Sequence, residues 1–180
     1  VTEDPYMPGA PWTPQTGAVR GWDPAAALEA ASGVLRIDHA LAPGLVIGPH
    51  YDGMVAKFIA HGRTRADAVR VLVGALDAAP LFGPIHNARL LRDLLQHPSF
   101  TDGTLTTDTL DNWAAQGHVL LQRPAVPEWL WRVAAAVRAG PPPALRPASV
   151  AGFDLTLRCG DETRRSEERR VGKECRIGCR

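Results

Sequence analysis

Lysine is nearly missing from this chain: Lys57 and Lys173 stand against eighteen arginines. Any lysine-based chemistry before residue 166 therefore rests on Lys57 alone. Cysteine is scarce too, with Cys159 in the body and Cys175 and Cys179 close to the C-terminus. Three thiols so placed cannot build a disulfide framework, and the body reads as intracellular and thiol-reduced. No apolar run approaches the roughly 20 residues that a bilayer-spanning helix needs. The first residues lack the basic start and apolar stretch of a signal peptide. The absence of an initiator Met leads us to expect a fragment.

Several chemical signatures are missing as well. Neither G-x-G-x-x-G nor G-x-x-x-x-G-K-[ST] occurs, so no phosphate-cradling loop is written here. His39, His50, His61, His86, His97 and His118 are scattered, without a C-x-x-C partner or an H-E-x-x-H helix, which argues against a zinc site. A serine nucleophile elbow is absent.

What remains is an ordinary globular composition, 45% apolar and 22% charged over 180 residues. That suits one domain, with room for a piece of a second. The net charge of +1 is uneven. Residues 166–180 carry a net +2 and residues 1–165 a net −1. Neither value calls for an acidic partner.

Five prolines in the first 24 residues predict an extended, turn-rich entry. A strand is expected across Gln15–Trp22. Val34 to Leu41 alternates, with Leu35, Ile37 and His39 on one face and Val34, Arg36 and Asp38 on the other, the pattern of a half-buried strand. Leu45–Ile47 reads as a short strand. Met54–His61 fits either a helix or a strand and is assigned as strand.

Helices follow. Thr64-Arg65-Ala66-Asp67 resembles a capping box ahead of Val69, Leu72, Val73 and Leu76, with Pro80 as the stop. Asn87 is the expected cap of a second helix burying Leu90, Leu91, Leu94 and Leu95. A third, Thr107–Gln116, buries Leu110 and Trp113 and ends at Gly117. A fourth begins at Pro127, aligns Leu130, Val133 and Val137, and stops at Gly140. Pro141-Pro142-Pro143 is a stiff linker. Phe153, Leu155 and Leu157 then open a strand with almost no chain left to pair with. Strands first and helices afterwards, without a βαβ rhythm, make this an α+β chain.

Arg36 is the polar residue to single out, because its permanent charge and rigid fork of donors suit a developing anion. The plainer reading is a solvent-facing arginine paired with Asp38. Tyr51, Asp52 and Lys57 have plain readings also: Asp52 binding local amides, Lys57 extending from a strand.

Taken in order, Glu3-Asp4-Pro5, Pro14-Gln15-Thr16-Gly17, Gly33-Val34-Leu35-Arg36-Ile37-Asp38 and Pro49-His50-Tyr51-Asp52-Gly53-Met54-Val55-Ala56-Lys57 resemble the C-terminal domain of biotin carboxylase. Asn87–Leu95, His97-Pro98-Ser99-Phe100 and Thr106–Asp111 continue the resemblance, which covers roughly residues 3–117. Beyond it, Leu120-Leu121-Gln122-Arg123-Pro124 and Leu157–Asp161 look like the passage into a linking domain in acyl-CoA carboxylase α subunits of the methylcrotonyl- or geranyl-CoA type.

The resemblance implies a rudiment single hybrid motif-like fold over residues 1–117, a helix and Pro-rich linker over 118–150, and a truncated start of a BT-like linking domain over 151–165. It implies a cytoplasmic ligase that uses ATP, Mg2+ and bicarbonate to carboxylate carrier-borne biotin. Its partners would be a biotin carboxyl carrier domain and a carboxyltransferase β subunit, in an oligomer, with no nucleic acid or membrane. Arg36 falls at the arginine that steadies the biotin enolate in that family, although Leu35 is inserted between Val34 and Arg36. Gly83-Pro84-Ile85-His86-Asn87 and His50-Tyr51-Asp52 also depart from the family pattern, and both read as tolerated packing changes. The ATP-grasp module lies upstream of the matched segment in the family. Lys57, flanked by Ala56 and Phe58, is not a biotin acceptor, so this chain alone is expected to be inactive and to bind no cofactor.

Residues 166–180 resemble a read-through tail of non-native origin; the rival is an Arg-rich nucleic-acid arm, which the interleaved Glu residues oppose. The rival for the body is a standalone binding or scaffolding domain that keeps the fold without the ATPase.

Overall fold

Val19 marks the place where an extended segment changes partners. The structure, a computed structural model, describes residues 1–7, 12–139, 153–159 and 162–168. They fall into two units, Val1–Arg123 and Pro124–Arg180.

In the first unit the strand expected across residues 15–22 is broken in two. β1 (Gly17–Ala18) pairs antiparallel with β4 (Val46–Ile47), while β2 (Gly21–Trp22) pairs antiparallel with β6 (Leu81–Phe82). Val19, 1% exposed, sits between them, its amide donating to the Leu45 carbonyl and the next amide, Arg20, donating to Phe82. The chain serves two neighbours in turn, which an alternation pattern cannot register. Gly83 permits the crossing: its φ is +130°, and a Cβ there would lie 2.2 Å from the Ala18 carbonyl oxygen. Pro84, buried, packs against Gly17.

β3 (Leu35–His39) and β5 (Ala56–Ala60) form the longest pair of this unit, antiparallel, with Leu35 opposite Ala60, Ile37 opposite Phe58 and His39 opposite Ala56. Those residues share the inner face; Arg36, Asp38, Lys57 and Ile59 share the other. Onto the inner face pack α1 (Ala25–Ala30) and α2 (Arg65–Ala78). The core they make is Ala27, Leu35, Ala75 and Ala79, ringed by Trp22, Ile37, Phe58 and Val71. Alanines at the crossing let the elements approach closely, so the unit needs few large side chains. Helix α1 has no apolar period to announce it; its local signals are the Asp23 carboxylate, which accepts from the Ala25 amide at 2.9 Å, and the high helix propensity of the alanines.

Thr64 caps α2 as expected, accepting from the Asp67 amide at 3.1 Å. The Arg70 guanidinium, followed by the Thr64 hydroxyl, holds the Asp67 carboxyl below its usual range. Then come α3 (Ala88–Leu95), α4 (Pro98–Thr101), α5 (Thr109–Gln116) and a 3-10 turn, Val119–Leu121. Gly117 ends α5 at φ +66°, the left-handed cap its position suggested. Leu90 is buried in α3, but Leu91, expected inside, lies on the solvent side. One step of 100° round a short helix separates them.

Asn87 precedes α3 yet makes no side-chain cap. Its amide nitrogen donates to Glu3 Oε1 at 2.8 Å, and its oxygen accepts from the Val1 amine at 2.9 Å. A long-range use has displaced the local one.

In the second unit α6 (Glu128–Ala139) buries Trp131, whereas Leu130, Val133 and Val137, expected to share its inner face, are exposed. The Arg164 guanidinium lies 5.7 Å from the centre of the Trp131 ring. β7 (Phe153–Cys159) does have a partner, contrary to expectation: β8 (Glu162–Glu168) runs antiparallel to it, with Cys159 opposite Glu162. The charged sequence of β8 hides it from any search for apolar alternation. The linker at 141–143, the stop at Gly140 and residues 169–180 lie outside the described residues.

Candidate functional site

The outer face of the β3–β5 ribbon gathers the charged residues Arg36, Asp38 and Lys57. Strand alternation sends Arg36 and Asp38 outward together because Leu35 and Ile37 are drawn inward. Arg36 Nε lies 3.1 Å from Asp38 Oδ1, and Nη2 donates to Oδ2 at 3.2 Å. The carboxylate thus faces one edge of the guanidinium, one oxygen accepting a hydrogen bond and the other in ion-pair contact. Both side chains are open to solvent, 70% and 52% exposed. The ladder sets Ile59 opposite Arg36 and Lys57 opposite Asp38. Two cations and one anion therefore share a small patch, with the half-buried Ile59 at the ladder position opposite the arginine.

Such a patch can receive an anion. A guanidinium has five N–H donors, of which Asp38 takes one in a hydrogen bond, leaving the opposite edge of the fork for a ligand oxygen.

Leu35 is 7% exposed, a member of the core, and Arg36 next to it lies on the outward face of β3. In the loop before β5, the Asp52 carboxylate accepts from the Met54 amide at 3.0 Å, the local turn expected of it. Tyr51 is 88% exposed. Neither of these two residues joins the Arg36–Asp38 pair. Among the described residues, no three His, Cys, Asp or Glu side chains converge as metal ligands would.

Four of the six histidines act as structural acceptors. The Trp22 indole donates to His39 Nε2 at 3.4 Å, and the Nδ1 atoms of His86, His97 and His118 accept from the amides of Ala88, Ser99 and Leu120. Burial pushes His86 below the usual imidazole range, partly opposed by its bond to the Leu81 carbonyl. His118 stacks on Trp113 at 4.2 Å, and His97 meets the same indole edge-on. These roles leave no spacing signature in the sequence. An open hollow of about 480 Å³, lined by Arg65, Phe100, Thr101, Asp102, Gly103 and Leu105, contains none of Arg36, Tyr51, Asp52 and Lys57.

The sequence model of the family described as the biotin carboxylase C-terminal domain matches residues 2–112, well over half of the chain. The chain belongs to the biotin carboxylase C-terminal domain family. Rat (Rattus norvegicus) mitochondrial propionyl-CoA carboxylase alpha chain is 30% identical over 142 residues, covering 71% of this chain and 19% of the relative. Human (Homo sapiens) mitochondrial pyruvate carboxylase is 31% identical over 189 residues, 90% of this chain and 15% of the relative. Biotin carboxylase 1 of Bacillus subtilis (strain 168) is 34% identical over 83 residues, 46% and 18%. The chain spans less than a fifth of the length of each of these relatives.

A solved structure of the biotin carboxylase subunit of pyruvate carboxylase superposes with TM-score 0.57 and 25% identity, over 69% of this chain and 25% of that one. The complete multifunctional pyruvate carboxylase from Rhizobium etli gives 0.59 at 23% identity, over 71% and 11%. Short antiparallel strand pairs and helices are thus the biotin carboxylase C-terminal fold, and the named relatives are carboxylases.

Proposed function

We propose that this chain is the C-terminal part of the biotin carboxylase region of an acyl-CoA carboxylase α subunit of the methylcrotonyl- or geranyl-CoA type. The family match over residues 2–112 carries this reading, and the outward guanidinium of Arg36 gives it a chemical focus. The propionyl-CoA carboxylase relatives support the acyl-CoA class.

In the proposed reaction ATP and bicarbonate form carboxyphosphate, which breaks to CO2 and phosphate. Phosphate takes the proton from N1′ of carrier-borne biotin, and that nitrogen forms a bond to CO2. ATP and Mg2+ would be held by parts of the subunit outside this segment. Arg36 meets biotin: its free N–H edge donates to the ureido oxygen as charge accumulates there. A fixed cation contributes most where charge appears only in the transition state. The whole subunit would work in the cytoplasm as part of an oligomer with a carrier domain and a carboxyltransferase β subunit.

The test is Arg36→Ala in the intact subunit carrying this segment, with biotin carboxylation followed by fixation of labelled bicarbonate. Loss of one donor to a developing oxyanion typically costs about 100-fold or more in kcat. A variant with wild-type turnover would remove Arg36 from the mechanism, and an intact subunit that fixes no bicarbonate on biotin would remove the function.

A further inference from the structure

We infer that Asp38 is the positioning residue for Arg36, an inference that rests on the role proposed above for that arginine. The pair presents an electrostatic paradox. A group meant to stabilise an anion gains nothing in charge from a carboxylate beside it, yet Asp38 holds Arg36 by a hydrogen bond at 3.2 Å to Nη2 and an ion-pair contact at 3.1 Å to Nε. Stability does not explain the contact either, because both partners are open to water and such pairs contribute little to folding. Orientation does. An arginine side chain on an open strand face samples many rotamers, and a catalyst must hold its donors where the reacting oxygen will be. Anchoring the Nε–Nη2 edge fixes the plane of the fork and turns the remaining donors away from Asp38.

The ribbon completes the arrangement. Asp38 lies at the ladder position opposite Lys57, so it stands between two cations on one face, and the three groups keep a net charge of +1. The contact is set by β3 itself: residues two apart on a strand share a face, and the buried Leu35 with the half-buried Ile37 pins the register. Sequence spacing presents Arg-x-Asp as a surface pair; the two-oxygen geometry gives it a purpose.

Charge and orientation predict opposite signs, which makes the inference easy to test. In the intact subunit, Asp38→Asn removes a negative charge, so an arginine acting by charge alone would work as well or better. With orientation in control, kcat for biotin carboxylation falls about tenfold, while KM for ATP and for bicarbonate stays put. Asp38→Glu, which keeps a carboxylate within reach, recovers part of the loss. In the Arg36→Ala background, Asp38→Asn costs nothing further, since the group it positions is gone. Wild-type or faster turnover in Asp38→Asn, or an equal loss in the Arg36→Ala background, overturns the inference while leaving Arg36 in place. Full activity in Arg36→Ala overturns the reading of that arginine and this inference with it. The urea midpoint of Asp38→Asn, expected to match wild type, separates a catalytic loss from unfolding.

Discussion

Asp4 and Arg123, 119 positions apart, form an ion pair in which the carboxylate is buried and the guanidinium half exposed. Asp4 also accepts from the Tyr6 amide at 3.0 Å, and Arg123 lies 5.8 Å from the Tyr6 ring centre. Thr2 and Glu3 do similar work. The Thr2 amide donates to the Gly53 carbonyl at 2.8 Å, and Glu3 receives the Asn87 amide. Three consecutive residues thus fasten three distant parts of the first unit. Removing the guanidinium leaves a buried carboxylate short of a partner, moderated by the water that reaches the site from the arginine side. Arg123→Ala is expected to lower stability by about 1 kcal/mol, read from urea unfolding, with Arg123→Lys recovering part of it. An unchanged midpoint would show the pair to be incidental.

Asn87 discriminates between a helix cap and a tertiary anchor. Serine is a good cap, so Asn87→Ser would be nearly silent if capping were its role. As an anchor for Glu3, its amide is irreplaceable by a short hydroxyl, and both Asn87→Ser and Asn87→Ala are expected to cost about 1–3 kcal/mol. Equal urea midpoints for Asn87→Ser and wild type would restore the capping role.

Two glycines predict opposite signs. Gly83→Ala forces a Cβ to within 2.2 Å of the Ala18 carbonyl oxygen at a backbone angle that L-residues resist, and is expected to cost about 2 kcal/mol or more. Gly74, inside α2, has nothing within 4 Å of its added Cβ. Gly74→Ala is expected to gain about 0.5–1 kcal/mol. Thermal unfolding of the two variants should bracket the wild type.

His86 should make the first unit sensitive to mild acid. Burial lowers its folded pKa below the ordinary value of 6.5, with the nearby Val1 amine as a smaller cause in the same direction and the Leu81 carbonyl opposing. Below 6.5 the unfolded chain takes up a proton that the folded chain refuses. The contribution is therefore complete above about 6.5 and is lost as pH falls through that value toward the lower folded pKa. Urea midpoints measured between pH 7.5 and 5.5 should decline, and His86→Gln should flatten the decline. A slope untouched by His86→Gln would assign the effect elsewhere.

Much of the architecture is legible in the order of the amino acids. Alternation locates β3 with its faces correctly divided, Thr64 announces α2, and Gly117 announces the end of α5, because each depends on interactions within a few residues. Two of the assignments that changed involve a distant partner, and the third an adjacent strand whose composition conceals it. Asn87 is taken from its helix by Glu3, Trp131 rather than Leu130 is the buried residue of α6, and β7 finds in β8 a strand with no apolar period. At the candidate site, residue type alone marks Arg36, while the two-oxygen contact of Asp38 and the placing of Lys57 come from the ladder.

The order of the amino acids by itself therefore carried a family resemblance that the family match bears out, the α+β character, and the choice of Arg36 as the arginine worth testing. Those follow from composition, period-2 and period-3.6 patterning, and ordered motifs. Tertiary structure decided which polar groups are anchors, which faces are inside and what surrounds Arg36. Local pattern states only what a residue can do within a few positions of itself; burial and long-range pairing select among those uses, and the selection is made across separations as long as that between Asp4 and Arg123.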